Sequence, residues 1–187
     1  AMSQKDYGRV HTEEYLRRLE EIAQEPLHLE GFWNTETPIT KDILKLQGAF
    51  VNGTYTAAQI ALVQGIAMNL GGGLHHAMPD HKEGFCIFSD IGIAVKRLLA
   101  ENAITKAMLI DCDVHHGNGN ARIFYGNPAV AIADFYQENN YPEKKIPVTL
   151  PLAFSTGKNH VGDSFYLGQL PIIIEEAEKQ NPDIVFY

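Results

Sequence analysis

The stretch Ala107-Met108-Leu109-Ile110-Asp111-Cys112-Asp113-Val114-His115-His116-Gly117 constrains the fold more than any other part of this chain. Its first four residues are wholly apolar, as in a strand covered on both faces, and such coverage is characteristic of a parallel sheet packed between helices. Gly117 and Gly119 end the run. Side chains two apart on a strand share a face, so a strand over 107–113 sends Asp111, Asp113 and His115 to one side and Cys112 and Val114 to the other. Polar residues then gather at the carboxyl end of a buried strand, where open parallel sheets place their ligands. Asp113 and His115 offer oxygen and nitrogen donors that suit zinc (Zn2+), and two carboxylates there are costly to bury without a cation.

A second histidine pair, His75-His76, follows Gly71-Gly72-Gly73, so four of the eight histidines stand in two doublets. Three glycines allow positive φ and close backbone approach, and in such an irregular turn both imidazoles can line one cleft. Taken singly, either doublet also fits a solvated turn. Together they form the raw material of a hydrolytic metal site.

The order of elements supports an α/β unit. Periodicity and capping predict a helix at about 12–24, an irregular polar stretch through Pro38, and a helix over 56–69 opened by Thr56-Ala57-Ala58-Gln59. Beyond these come a helix over 90–101, a strand over 107–113, a short helix near 119–125 and a strand over 129–134. The polar, proline-punctuated stretch from Tyr136 to Lys158 reads as a loop at the rim of the cleft. A helix over 162–180, which Pro171 kinks or breaks, and a strand over 183–187 complete the chain. Alternating strands and helices predict a three-layer α/β/α fold with a mostly parallel sheet, in one unit over 1–187, with no repeat or low-complexity linker to divide it.

Composition narrows the partners. Acidic residues outnumber basic ones 23 to 15, for a net charge of −8, which argues against general nucleic-acid binding and suits a cationic or lysine-bearing substrate. Glu13-Glu14 with Arg17-Arg18 reads as an exposed helix face with i, i+4 pairs. The two cysteines, Cys86 and Cys112, lie in apolar motifs and favour reduced thiols in a cytoplasmic-type compartment, nuclear in a eukaryote. Neither a signal peptide nor an apolar run of about 18 residues appears, so no membrane partner is expected.

These residues resemble the histone deacetylase family of the arginase/deacetylase superfamily, and most of all its class IV branch. The matching stretches are Val10 to Leu16, Gly71 to Ala77, Gly84-Phe85-Cys86, Ser89-Asp90-Ile91, Ile110 to Gly119, Tyr141-Pro142 and Pro182 to Tyr187. The branch assignment rests on Asn118-Gly119-Asn120 and the Asp134 to Pro142 stretch. The resemblance implies zinc-dependent hydrolysis of an acyl-lysine protein or a small acylated amine by metal-activated water. It implies Asp113 and His115 as zinc ligands, His76 as general base, and His75 as its partner near the developing oxyanion. Asp111 matches the carboxylate that orients His75 and, in relatives, contributes to a potassium (K+) site. Asn118 stands where many relatives carry an aspartate behind the base, and a neutral partner should lower the base's pKa. Gly84, Phe85 and Tyr141 match the acyl-lysine channel.

The family's third zinc ligand, an aspartate just beyond the last strand, and its oxyanion-stabilising tyrosine have no counterpart in the sequence, so the fold is expected to be incomplete. Ala1 before Met2 reads as a remnant, and relatives carry a first strand and helices ahead of Asp6. Truncation predicts weakened zinc binding, doubtful hydrolysis by this chain alone, and self-association through exposed sheet edges. Two other readings stand beside the deacylase. One is a non-catalytic fragment that binds acyl-lysine or a partner. The other is a dimanganese ureohydrolase, which needs an Asp-x-His-x-Asp bridge where this chain has Gly117.

Overall fold

Strands β1 (Ala107–Asp111), β2 (Val130–Gln137), β3 (Leu150–Phe154) and β4 (Ile184–Phe186) form one sheet in the order β3-β2-β1-β4, with every pairing parallel. This computed structural model describes residues 2–24, 37–155 and 162–187. The helices among them are α1 (Gln4–Tyr7), α2 (Glu13–Gln24), α3 (Lys41–Gln64), α4 (Asp90–Ala100), α5 (Asn118–Phe124), α6 (Asp163–Leu167) and α7 (Leu170–Gln180).

Strand alternation sorts the core into layers. Ala107, Leu109, Val130, Ile132, Ile184 and Phe186 face one way and pack on Tyr55 and Ala58 of α3, Ala94, Val95 and Leu98 of α4, and Phe124 of α5. Met108, Ala131 and Ala133 face the other way, where Ile173 and Ala177 of α7 cover them. A third cluster joins α2, through Tyr15, Leu19 and Ile22, to Val51, Ile87, Phe88 and Ile93. The architecture is thus the expected α/β/α with a parallel sheet. The second helical layer is thin: Val185, paired in register with the buried Met108, is 45 % exposed on β4.

Several expectations need correction. The helix expected over 56–69 is part of the much longer α3, which starts where Thr40 accepts the Ile43 N–H at 3.2 Å and ends at Gly65, whose φ of 90° turns the chain away. Residues 37–40 precede it without helix, whereas the rest of the expected irregular stretch, 25–36, lies outside the described residues. Strand β1 stops at Asp111, so Asp113 and His115 are not placed by strand alternation, and Val114 is exposed rather than turned into a layer. The expected loop over 136–158 contains β3, an edge strand in which Pro151 is tolerated because its missing N–H costs no ladder bond; residues 156–158 lie outside the described part. The break expected from Pro171 is present. Gly168 and Gln169 separate α6 from α7, and Pro171 sits in the first turn of α7.

Candidate active site

Two turns, rather than a strand, carry the second histidine pair. Asp111 Oδ1 accepts the Asp113 N–H at 3.0 Å, and Asp113 Oδ1 accepts the His115 N–H at 2.7 Å. Each aspartate folds the chain over the residue two ahead, as short carboxylates readily do. The same Asp113 Oδ1 lies 2.9 Å from His115 Nδ1, so the two expected ligands face one another at the sheet's carboxyl edge. Both are substantially exposed.

The first pair is held from below. Asp90, buried at the start of α4, accepts the Leu74 N–H at 2.8 Å with Oδ1, and the Gly73 N–H at 3.0 Å and Thr54 hydroxyl at 2.6 Å with Oδ2. That carboxylate clamps the glycine turn, in which Gly72 and Gly73 take the positive φ expected of them. His75 Nδ1 then meets Asp111 Oδ2 at 2.7 Å, and His76 Nδ1 meets Asn118 Oδ1 at 2.7 Å. At Gly119 the first turn of α5 runs so close beneath this loop that a Cβ would stand 2.6 Å from the carbonyl oxygens of His75 and Ala77.

The two imidazoles sit with ring centroids 4.0 Å apart, and His76 is 6.0 Å from His115. Their environments differ. Burial opposes charge on His75, but its bond to Asp111 and the carboxylates of Asp111 and Asp113 outweigh that and raise its pKa. Burial, reinforced by the neighbouring His75 and His115, lowers the pKa of His76 despite its Asn118 bond. For Asp113 the partial burial is outweighed by the His115 bonds and by His75, which hold its carboxyl below the ordinary range.

Gly84 (φ 55°) lies directly against the His76 ring, where any Cβ would come within 2.7 Å of it. Phe85 beside it is 61 % exposed, and Tyr141 stacks edge-on to His76 at 5.0 Å and to His115 at 6.0 Å. Buried Gln47 of α3 fastens this segment: its amide donates to Phe85 O and accepts from the Ile87 N–H, each at 2.8 Å. Contacts thus link eight of the nine expected site residues at the carboxyl edge of the sheet, and Phe85 adjoins them as the neighbour of Gly84. A groove of about 1000 Å3 runs beside this edge, between the segment after α3 and β4, and reaches His75, Asp111 and Asp113 at its rim.

Sequence reasoning assigned no role to Glu83, Asp90 or Asp134, and none to His116 beyond its place in the second doublet. Glu83 Oε1 receives both the Asn118 amide and the Tyr141 hydroxyl at 2.6 Å. His116 is fully buried; its Nε2 accepts the Ile146 N–H at 3.1 Å, leaving the proton on Nδ1, which faces Asp134 Oδ2 at 2.7 Å. No regular hydrogen bond forms at Nδ1, so the close approach acts electrostatically. The one signal for Asp134 was a carboxylate inside an otherwise apolar strand, Ala131-Ile132-Ala133-Asp134-Phe135.

Among described residues no three His, Cys, Asp or Glu side chains converge as a ready metal cage. Asp113 and His115 bring an oxygen and a nitrogen donor within 2.9 Å of one another, both partly exposed, and these donor types suit a divalent cation.

Comparison with known proteins bears on the fold and the family. The chain is 38% identical over 138 residues to an uncharacterized protein of Picosynechococcus sp., covering 73% of the chain and 45% of that relative. It is 31% identical over 146 residues to the acetoin utilization protein AcuC of Bacillus subtilis, covering 74% of the chain and 38% of AcuC. Histone deacetylase 2 of Arabidopsis thaliana is 38% identical over 92 residues, 49% of the chain and 24% of that protein. The chain thus spans less than half the length of these relatives. The crystal structure of the HDA15 HD domain superposes with a TM-score of 0.79 at 22% identity, covering 98% of this chain and 55% of that one, and so shares the fold. The histone deacetylase domain pattern matches residues 1–186, and the chain belongs to the histone deacetylase family.

Proposed function

We propose that this chain serves zinc-dependent hydrolysis of acyl-lysine, on a protein or a small acylated amine. The observation that carries the reading is the convergence of His75-Asp111, His76-Asn118 and Asp113-His115 on one cleft. Asp113 and His115 would hold zinc, which when bound supplies Lewis acidity to the acyl carbonyl and to the attacking water. His76 takes a proton from that water and returns it to the leaving amine; its lowered pKa keeps it neutral and ready to accept. His75, whose pKa the Asp111 and Asp113 carboxylates raise against its burial, stands beside the developing oxyanion as the more readily protonated partner. Gly84, Phe85 and Tyr141 flank the approach, where an apolar lysine stem displaces water.

Potassium near Asp111 has its own support. Asp134, opposite Asp111 in the β1–β2 register, is fully buried, and its Oδ1 has no hydrogen-bond partner. Burial pushes its carboxyl up, and a cation beside it would offset that cost. The class IV placement rests on Asn118-Gly119-Asn120 and the Asp134 to Pro142 stretch, and a cytoplasmic-type compartment on the unpaired Cys86 and Cys112.

A second reading, an acyl-lysine binding unit without turnover, is favoured by the same two-donor site, which is more open than a three-ligand catalytic centre. Zinc analysis after dialysis, with an acyl-lysine peptide hydrolysis assay, separates the readings. One zinc per chain with turnover supports the hydrolase. Peptide binding without turnover supports the second reading, and manganese in place of zinc would point to a ureohydrolase.

A further inference from the structure

We propose that Glu83 is a positioning residue that fixes the tautomer of His76 by orienting the Asn118 amide. An ionised carboxylate only accepts hydrogen bonds, whereas a carboxamide can present either its oxygen or its NH2 group. Glu83 Oε1 lies 2.6 Å from Asn118 Nδ2, so the amide must turn its NH2 toward Glu83. Its oxygen is then left for His76, 2.7 Å from Nδ1. An oxygen acceptor there requires a proton on Nδ1, and a neutral ring carrying it keeps Nε2 as a bare lone pair.

Reversing the amide would set an oxygen against the carboxylate and an NH2 against His76 Nδ1, placing the proton on Nε2 and removing the basic site. Asn118 alone cannot choose between these states. Glu83 chooses. The same Oε1 receives the Tyr141 hydroxyl at 2.6 Å, so a second donor holds the carboxylate in place. His81 Nε2 stands 3.5 Å from the other oxygen, and the Glu83 side chain is 24% exposed.

The inference deepens the hydrolase reading, which gives the lone pair its use, but it concerns a proton position that is measurable without turnover. Long-range 15N–1H spectra of the histidine rings, recorded at mildly alkaline pH and assigned with His76→Gln, report the tautomer directly. The unmodified chain should show His76 as Nδ1–H. Glu83→Gln keeps the shape but can donate as well as accept, so the His76 nitrogens should shift to averaged positions between the two tautomers. Adding Asn118→Asp to Glu83→Gln puts an acceptor-only carboxylate next to His76 and should restore Nδ1–H, a rescue that a merely structural Glu83 would not give. An Nε2–H ring in the unmodified chain, an unchanged ring in Glu83→Gln, or a double variant that stays averaged would each overturn the proposal. The expected pattern in a chain without turnover would leave Glu83's role standing and count against the hydrolase reading alone.

Discussion

Neighbouring imidazoles with opposite electrostatics occupy residues 75 and 76, and pairs of groups driven apart in this way are a sign of divided acid and base roles. If the proposed hydrolase reading holds, replacing His76 with Ala in a form extended at both ends should leave zinc occupancy unchanged while acyl-lysine turnover falls by roughly 10²–10⁴-fold, the usual worth of a general base. Asp113→Ala should instead lose the zinc, read by metal analysis; full occupancy in that variant would remove Asp113 from the ligand set. A different histidine governs stability. His11 is buried, its Nδ1 3.0 Å from Met78 O and its Nε2 accepting the Ser89 N–H at 3.1 Å, and burial lowers its pKa to about 4. Unfolded, it would titrate near 6.5, so between those values the unfolded chain binds the extra proton and stability rises with pH. The contribution is complete above about pH 6.5 and is lost as pH falls toward 4, at most about 3 kcal/mol. Urea midpoints at pH 7 and pH 5 should therefore differ more in the native chain than in His11→Gln; equal differences would refute this account. The doublets and carboxylates of the cleft were legible because their types and spacing are local. The pairing of His116 with Asp134 and the role of Glu83 were not, because the partners lie 18 to 58 residues apart or depend on strand register.

At the scale of elements, what tertiary contacts decide was hardest to read. Strand β1 was legible from its apolar run, but its end at Asp111 was not, since the two aspartates turn the chain with their own side chains. Gly48 and Gly53 weaken the intrinsic helix preference of the first half of α3. That half is secured by the Thr40 cap and by buried Gln47, whose amide carries the 85–88 segment. β3 stayed hidden because Pro151 and polar neighbours suppress a strand pattern that edge pairing tolerates. Thr40→Ala should cost about 1 kcal/mol as a lost cap. Gln47→Leu leaves the buried Ile87 N–H and the Phe85 carbonyl without this partner and should cost more, about 2 kcal/mol by urea unfolding. It should also loosen the Gly84-Phe85 segment and, if the proposed hydrolase reading holds, raise KM for an acyl-lysine peptide more than it lowers kcat. A variant as stable as the parent would mean that water replaces both contacts.

At the scale of the molecule, large apolar side chains among the described residues are exposed together rather than singly. Val63, Ile66, Met68 and Leu70, on and after the last turn of α3, are each more than four-fifths exposed, and the last three border the 1000 Å3 groove that runs to β4. Among the described residues β4 pairs with β1 alone, so its outer edge offers unsatisfied ladder groups beside the exposed Val185 and Tyr187. An open parallel edge next to a wide apolar patch is a template for pairing with another chain, because association satisfies backbone groups and removes apolar area together. The net charge of −8 opposes association, but with a Debye length of about 8 Å at physiological salt it is screened beyond the nearest contacts. The chain should therefore sediment as a concentration-dependent mixture of monomer and larger species, with the larger fraction growing as salt is raised. Val185→Lys together with Leu70→Asp should shift that mixture toward monomer with no change in far-ultraviolet circular dichroism. A single monomeric species at every concentration, or a mixture indifferent to both substitutions, would show that this face does not drive assembly.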